Sequence, residues 1–285
     1  MAIEAMATDQ YLTVNGLRLH YLEWGRSAAP TIIMLHGLRG YAHTWDGLAR
    51  ELVDDFHILA LDQRGRGESD WDSTANYTRD AYVADLESFV EQLGLERFIL
   101  VGHSMGGANT LAYTTAHPDR VSAAIIEDMG PATTPPAPGT ARIGRELDAT
   151  PSRFASWADT EVFVRQLRPG LSDTTIASVV ASSLKELPDG QITWKYDLDG
   201  IRQARQRGGS IGDLWPCVRG LQCPTLVLRG GESDILAAAT AQAMADANPN
   251  VSWVEIPGAS HFVHDDQPAA FNRAVTAFLS RFAAG

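Results

Sequence analysis

The pentapeptide Gly102-His103-Ser104-Met105-Gly106 lies between an apolar run, Phe98-Ile99-Leu100-Val101, and a stretch of small residues suited to a helix, Gly107-Ala108-Asn109-Thr110-Leu111-Ala112-Tyr113. A buried strand that passes directly into a helix leaves one sharp turn for the serine, and that turn has no room for a side chain on either flank, hence the two glycines. The strained serine hydroxyl is lifted clear of the sheet edge. The helix behind it aims its N-terminal amides at any negative charge formed there.

The rest of the chain supplies a sheet for that strand. Tyr11-Leu12-Thr13-Val14 and Leu17 to Leu22 flank Asn15-Gly16, a two-residue hairpin signal. Apolar strand-like runs recur at Thr31 to Leu35, Phe56 to Leu61, Phe98 to Val101, Val121 to Glu127, Pro224 to Leu228 and Val251 to Ile256. Helical patterns such as Thr78 to Leu93 and Pro268 to Phe282 separate most of them. Strands apolar on both faces, alternating with helices, describe an α/β protein with a mostly parallel sheet covered on both sides. The exception is the interval from about Met129 to Leu221. It opens with the stiff loop Pro131 to Gly139 and continues through helical stretches around Ala141–Leu147, Glu161–Leu167, Asp173–Leu187 and Leu198–Gln206, without strand alternation of comparable strength. Residues 1–128 and 222–285 therefore read as the core, and residues 129–221 as a helical lid over the carboxyl edge of the sheet, where open α/β sheets hold ligands.

With 285 residues and 45% hydrophobic content, one core with an insertion fits better than two domains. A formal charge of −12 disfavours nucleic acid as a partner. No basic amphipathic helix, spanning apolar run or charged leader stands out, so the expectation is a cytoplasmic protein with a small-molecule substrate and no membrane partner. Monomer and homo-oligomer are equally open. Cys217 and Cys223, each beside a proline, read as reduced structural thiols, and no metal or cofactor is assigned.

A serine hydroxyl needs a base within hydrogen-bond reach and a third group to orient that base. Of eight histidines, His261 follows the last strand directly in Pro257-Gly258-Ala259-Ser260-His261-Phe262, with His264 as its local competitor. Two aspartates offer the third group: Asp128, at the end of the strand beside the nucleophile strand, and Asp234, in Arg229-Gly230-Gly231-Glu232-Ser233-Asp234. Two amides must receive a developing oxyanion. Met105 N–H follows the serine, and His36-Gly37-Leu38-Arg39-Gly40, directly after an early strand, nominates Leu38 N–H.

Taken together, His36-Gly37, Asp62-Gln63-Arg64-Gly65-Arg66-Gly67-Glu68-Ser69, the serine pentapeptide, His117-Pro118-Asp119-Arg120-Val121 and Pro257 to His261 resemble the α/β-hydrolase superfamily over nearly the whole chain except the lid. The resemblance implies Ser104 as nucleophile, His261 as base and the Met105 and Leu38 amides as oxyanion hole. It also implies that the acid follows the later strand in most members, and the strand after the nucleophile helix in a minority. Gly231-Glu232-Ser233-Asp234 formally fits the majority pattern, but its loop is one residue longer and leaves Ser233 where the acid would fall. Glu127-Asp128-Met129-Gly130-Pro131 resembles the Asp-x-x-Pro segment of the minority, which includes acyl esterases and a hydrolase of an acetamidomethylene succinate. Asp128 is favoured over Asp234.

A serine nucleophile points to acyl transfer to water rather than to alkyl-ester chemistry on a carboxylate. The leading expectation is a small-molecule carboxylic ester hydrolase, with amide and lactone cleavage as close variants. Carbon–carbon hydrolysis of a diketone and a low-turnover ligand receptor are the competing readings. Specificity is expected from the lid and the early glycine loop, with Arg39, Arg142, Arg145, Arg165 and Trp157 as candidate substrate-binding residues. An inward arginine would clamp an anionic group.

Overall fold

A computed structural model describes residues 7–134, 136–208 and 212–283. Pro135 of the expected proline loop and the Met1–Met6 segment lie outside the described residues. Asn15 and Gly16 take φ of 49° and 82°, the two positive values of a twisted hairpin turn, and fold β1 (Thr8–Val14) onto β2 (Leu17–Trp24).

The remaining strands of the main sheet are β3 (Thr31–Leu35), β4 (His57–Leu61), β5 (Phe98–His103) and β6 (Val121–Glu127). After a short interruption come β7 (Arg153–Phe154), β8 (Leu184–Glu186) and β9 (Ile192–Trp194), which form a separate sheet, and then β10 (Thr225–Gly230) and β11 (Val251–Ile256). The main sheet runs β1-β2-β4-β3-β5-β6-β10-β11, and every pairing from β4 to β11 is parallel.

Side chains alternate across this sheet with period two, and the alternation builds two cores. Ile32 and Met34 face one way and pack with Trp45, Phe271 and Phe278, beneath the helices Asp46–Leu52 and Pro268–Leu279. Ile33 and Leu35 face the other way and pack with Phe89 and Tyr113, on the helices Arg79–Gln92 and Met105–Ala116. Burial on both faces explains the near-continuous apolar runs.

Strand order fixes where a ligand fits. The chain leaves β3 for β4 on one side and leaves β5 for β6 on the other, so the crevice at the carboxyl ends of β3 and β5 is a switch point. The loop His36–Gly40 and Ser104 both lie there.

The interval after β6 differs from the purely helical expectation in two ways. Its helices are Pro138–Ala149, Trp157–Leu167, Asp173–Ser183 and Leu198–Gln206, but the expected Asp173–Leu187 helix stops at Ser183. Leu184–Glu186 instead pairs antiparallel with β9, which also pairs with β7. Strands of two or three residues are too short to show a period. The turn that joins two of them carries hairpin chemistry in Pro188-Asp189-Gly190, and Leu187 N–H reaches Gln191 C=O at 2.7 Å.

The last residues of the 129–221 interval pack differently from its middle. Leu214, Val218 and Leu221 pack with Leu111, Ile126 and Val227 of the sheet layer, whereas Phe154, Ile176, Ile192 and Trp194 form a core of their own. Leu214, 1% exposed, belongs to the sheet domain by packing. Leu214→Ala is therefore expected to lower the stability of the main cooperative unfolding transition by about 2–5 kcal/mol, read by urea denaturation. Loss confined to a separate, earlier transition would place it with the insertion.

Candidate active site

The turn after β5 holds Ser104 at φ 53° and ψ −116°. A methyl group on Gly102 would meet Gly106 O at 2.3 Å, and one on Gly106 would meet Leu35 O at 2.2 Å. Both flanks must therefore be glycine, and the strain stays at the serine. The first bond of the following helix runs from Ala108 N–H to Ser104 C=O at 3.0 Å, which leaves the Met105 amide outside the helical ladder. Gly37 brings the loop after β3 against the serine, since a methyl there would stand 3.3 Å from Ser104 Cβ.

Three strand ends supply the partners. His261, in the loop after β11, lies with Nε2 2.9 Å from Ser104 Oγ and Nδ1 2.7 Å from Asp128 Oδ2. Asp128 follows β6 at φ 48° and has no exposed surface. Its carboxylate accepts from three donors: the imidazole, Gly230 N–H at 3.0 Å and Ser233 Oγ–H at 2.5 Å. A carboxylate accepting at Nδ1 puts the proton there, so Nε2 is free to accept from the serine. Such a chain can draw the proton from a hydroxyl and hold the resulting imidazolium.

The structure thus brings together Ser104, His261 and Asp128, and it keeps Asp234 apart. Arg142 forks onto Asp234 at 2.7 and 2.8 Å, and that bond holds the Asp234 carboxyl below its ordinary pKa. Ser233 stands in the later-strand loop as a donor to Asp128.

A second acid–histidine pair lies directly behind the first. Glu127, also without exposed surface, accepts from His264 Nδ1 at 2.7 Å and from His264 N–H at 2.9 Å. Burial opposes charge on His264, but Glu127 and Asp265 outweigh it and raise its pKa to about 9. His264 Nε2 donates to Thr44 Oγ1 at 2.9 Å. His103 sits between the two, its Nε2–H given to His261 C=O at 3.0 Å, and burial together with the neighbouring imidazoles keeps it neutral. Ligand atoms of His103, Glu127 and His264 lie within 4.8 Å of one another, yet Glu127 and His264 already spend theirs on each other. Sequence spacing gave no sign of this pair, which joins residues 137 positions apart.

A cavity of about 120 Å³ opens on Ser104 and His261. Leu38, Arg39 and Tyr41 wall it from the sheet domain, and Ile143, Val164, Leu167, Arg168, Trp194 and Tyr196 wall it from the insertion. Arg168 is spoken for, paired with Asp265 at 2.6 Å and Asp266 at 3.2 Å and lying 3.9 Å over the Phe262 ring.

Of the candidate substrate-binding residues, only Arg39 lines this cavity. Arg165 lies on the outer side of its helix, away from the buried Thr160 and Val164, and pairs with Asp173 at the surface; Trp157 is the first residue of the same helix and is 40% exposed at that end. Arg145 is likewise exposed, while Ile143 of the same helix faces inward. Arg142 is held between Asp234 and Glu146. At Arg145 and Arg165 the helical period sets them on the solvent side, whereas Trp157 is exposed by its place at the helix start.

Comparison with known proteins gives one consistent picture. A family model described as alpha/beta hydrolase fold matches residues 30–268. The chain is 28% identical to the sn-1-specific diacylglycerol lipase of Mus musculus, over 90% of this chain and 83% of that one. It is 26% identical to the 2-(acetamidomethylene)succinate hydrolase of Mesorhizobium japonicum, over 96% and 97%. A crystal structure of an E-2-(acetamidomethylene)succinate hydrolase superposes with a TM-score of 0.87 at 24% identity, covering 96% of this chain and 100% of that one. An alpha/beta hydrolase from Novosphingobium aromaticivorans superposes with a TM-score of 0.84 at 31% identity, over 97% and 99%.

The buried Glu127–His264 pair makes a pH-dependent prediction. A histidine whose pKa is raised on folding stabilises fully below about 6.5, its unfolded value, and loses that contribution as pH climbs through about 9. Glu127→Gln should cost about 3–5 kcal/mol at pH 6.5 and less at pH 9. Thermal melts of both proteins across that range check it; a gap that does not change with pH would contradict a charged pair.

Proposed function

Because the chain belongs to the α/β-hydrolase fold family, matched over residues 30–268, we propose that it is a serine hydrolase that cleaves small carboxylic esters through an acyl-enzyme. The observation that carries this reading is the unbroken chain Ser104 Oγ, His261 and Asp128, with links of 2.9 and 2.7 Å.

His261 takes the Ser104 proton as Oγ adds to the ester carbonyl, and Asp128 steadies the imidazolium so formed. The tetrahedral oxyanion is received by the Met105 amide, at the start of the helix Met105–Ala116, and by the Leu38 amide of the loop that Gly37 brings against the serine. His261 then returns its proton to the departing alcohol. Water, deprotonated at the same Nε2, releases the acid and restores Ser104.

The cavity supports a short, mostly uncharged substrate. At about 120 Å³ it is of the order of a site for one small ring or a short acyl chain. The two arginines that line it, Arg39 and Arg168, are engaged by carboxylates, which argues against a dicarboxylate as preferred substrate. The insertion, which supplies the far wall, acts in this reading as the lid that selects the acyl group.

Steady-state hydrolysis of 4-nitrophenyl esters from acetate to palmitate tests the reading. We expect kcat/KM to fall by about tenfold or more between butyrate and palmitate. Rising activity toward palmitate would contradict the short-acyl assignment. Asp128→Asn should lower kcat by about 10⁴-fold through loss of the Nδ1–H tautomer, while Asp234→Asn should cost less than about tenfold. The opposite ranking would transfer the acid role to Asp234.

A further inference from the structure

Arg66 carries a buried charge that no acid answers. Its side chain has no exposed surface, and each of its nitrogens is given to an uncharged acceptor: Nε–H to Leu38 C=O at 2.9 Å, Nη1 to Arg64 C=O at 3.0 Å and Nη2 to Met105 Sδ at 3.9 Å. The rings of Tyr77 and Tyr82 lie against the guanidinium, their centroids 4.8 and 5.7 Å from Cζ. The nearby acids are engaged elsewhere, Asp62 by Ala42 N–H and Glu68 N–H, Asp85 by Arg64, and Asp197 by Tyr77 O–H and Gly200 N–H. Among the described residues none forms an ion pair with Arg66. A desolvated cation without a counter-ion opposes folding, so its charge calls for a partner that the resting protein does not hold.

We propose that Arg66 is the positioning residue of the oxyanion hole, holding the Leu38 turn in place and lending positive charge to the oxyanion through Leu38 and Met105. The inference rests on the ester-hydrolase reading of the site. Leu38 lies inside the turn Gly37–Gly40, closed by Gly40 N–H on Gly37 C=O at 3.0 Å. His36 Nε2 accepts from Gln63 N–H, so Nδ1 carries the proton and donates to the same Gly37 C=O at 2.8 Å. A trans peptide points its C=O and N–H in opposite directions, so tying Gly37 C=O fixes where Leu38 N–H aims. Arg66 ties the next carbonyl, and both peptides that flank Leu38 are then held. Leu38 N–H itself donates to no described residue. When Ser104 Oγ adds to a carbonyl, the π pair moves onto oxygen and the serine proton moves to His261 Nε2. Asp128 answers the imidazolium, and Arg66 answers the oxyanion. A bound ester has no full charge at that oxygen before attack, so the cation favours the transition state over the ground state. Arg66 does not line the cavity, and it acts only through the two residues it touches.

The test compares 1,1,1-trifluoro-2-hexanone, whose carbonyl takes Ser104 Oγ to give a hemiketal oxyanion, with 2-hexanone, which binds without adding. Fluorine NMR reads the first affinity and competition reads the second, in the native protein and in Arg66→Gln, Arg66→Met and Arg66→Lys. Both neutral variants should fold, hold 2-hexanone within about threefold of native, and lose about 10- to 100-fold in affinity for the trifluoromethyl ketone. With 4-nitrophenyl butyrate, kcat should fall by the same factor while KM stays within about threefold. Arg66→Lys, which keeps the charge, should recover at least half of that loss on a logarithmic scale. An unchanged preference for the trifluoromethyl ketone in a folded neutral variant, or a loss shared equally by 2-hexanone, overturns the proposal. Failure of both neutral variants to fold also overturns it, by making Arg66 structural, and an undiminished loss in Arg66→Lys overturns the part played by charge. Native protein that forms the hemiketal but turns over no ester would contradict the hydrolase reading and leave the ketone affinities to decide this one. No hemiketal in native protein that does turn over esters would contradict this proposal alone.

Discussion

A carboxylate with no exposed surface has to be satisfied by donors from its surroundings, and at Asp128 those donors come from two other strand ends. Gly230 N–H and the Ser233 hydroxyl belong to β10 and its loop, and the His261 imidazole follows β11. Satisfying one carboxyl group therefore fixes the relative position of three carboxyl-terminal strand ends, with Ser104 on a fourth. The φ of 48° at Asp128 turns the chain at the end of β6, where it leaves the sheet. Glu127, the residue before it, holds His264 by both backbone and side chain. Two consecutive acids thus grip one turn, residues 261–264, from its two ends.

The same arrangement shows how an acid can stand at β6 rather than β10. The later loop carries Ser233 as a donor, and its aspartate, Asp234, is turned outward onto Arg142. Two carboxylates facing one imidazole would repel each other in a buried site. Engaging the second on an arginine removes that conflict, and Arg142 in turn holds Glu146, which pairs with Arg39 at the cavity.

Much of this was readable before any coordinates. The Ser104 pentapeptide requires a strand, a tight turn and a helix, and only glycine fits at 102 and 106, so sequence and backbone are tied one to one. Asn15-Gly16 and the apolar runs of the sheet are local signals of the same kind. The extra length of the 230–234 loop even pointed to Asp128 by register. What stayed hidden depends on facing or on distance in sequence. Arg165 has the chemistry of a substrate contact, yet the helical phase turns it to solvent, and Trp157 stands exposed at the first residue of the same helix. The β7-β9-β8 sheet rests on pairings of two or three residues, which leave no periodic trace. The Glu127–His264 and Arg39–Glu146 pairs join residues more than a hundred positions apart, and no local pattern marks them.

Everything proposed about chemistry turns on whether Ser104 is an activated nucleophile. A fluorophosphonate reports that directly, since it bonds covalently only to a serine whose proton is drawn away by a base. Peptide mass mapping after treatment of the purified protein should find the adduct on the peptide that contains Ser104, at one equivalent per chain, with labelling slowed by orders of magnitude in Asp128→Asn. Labelling at another serine, or none at Ser104 in folded protein, would contradict the account.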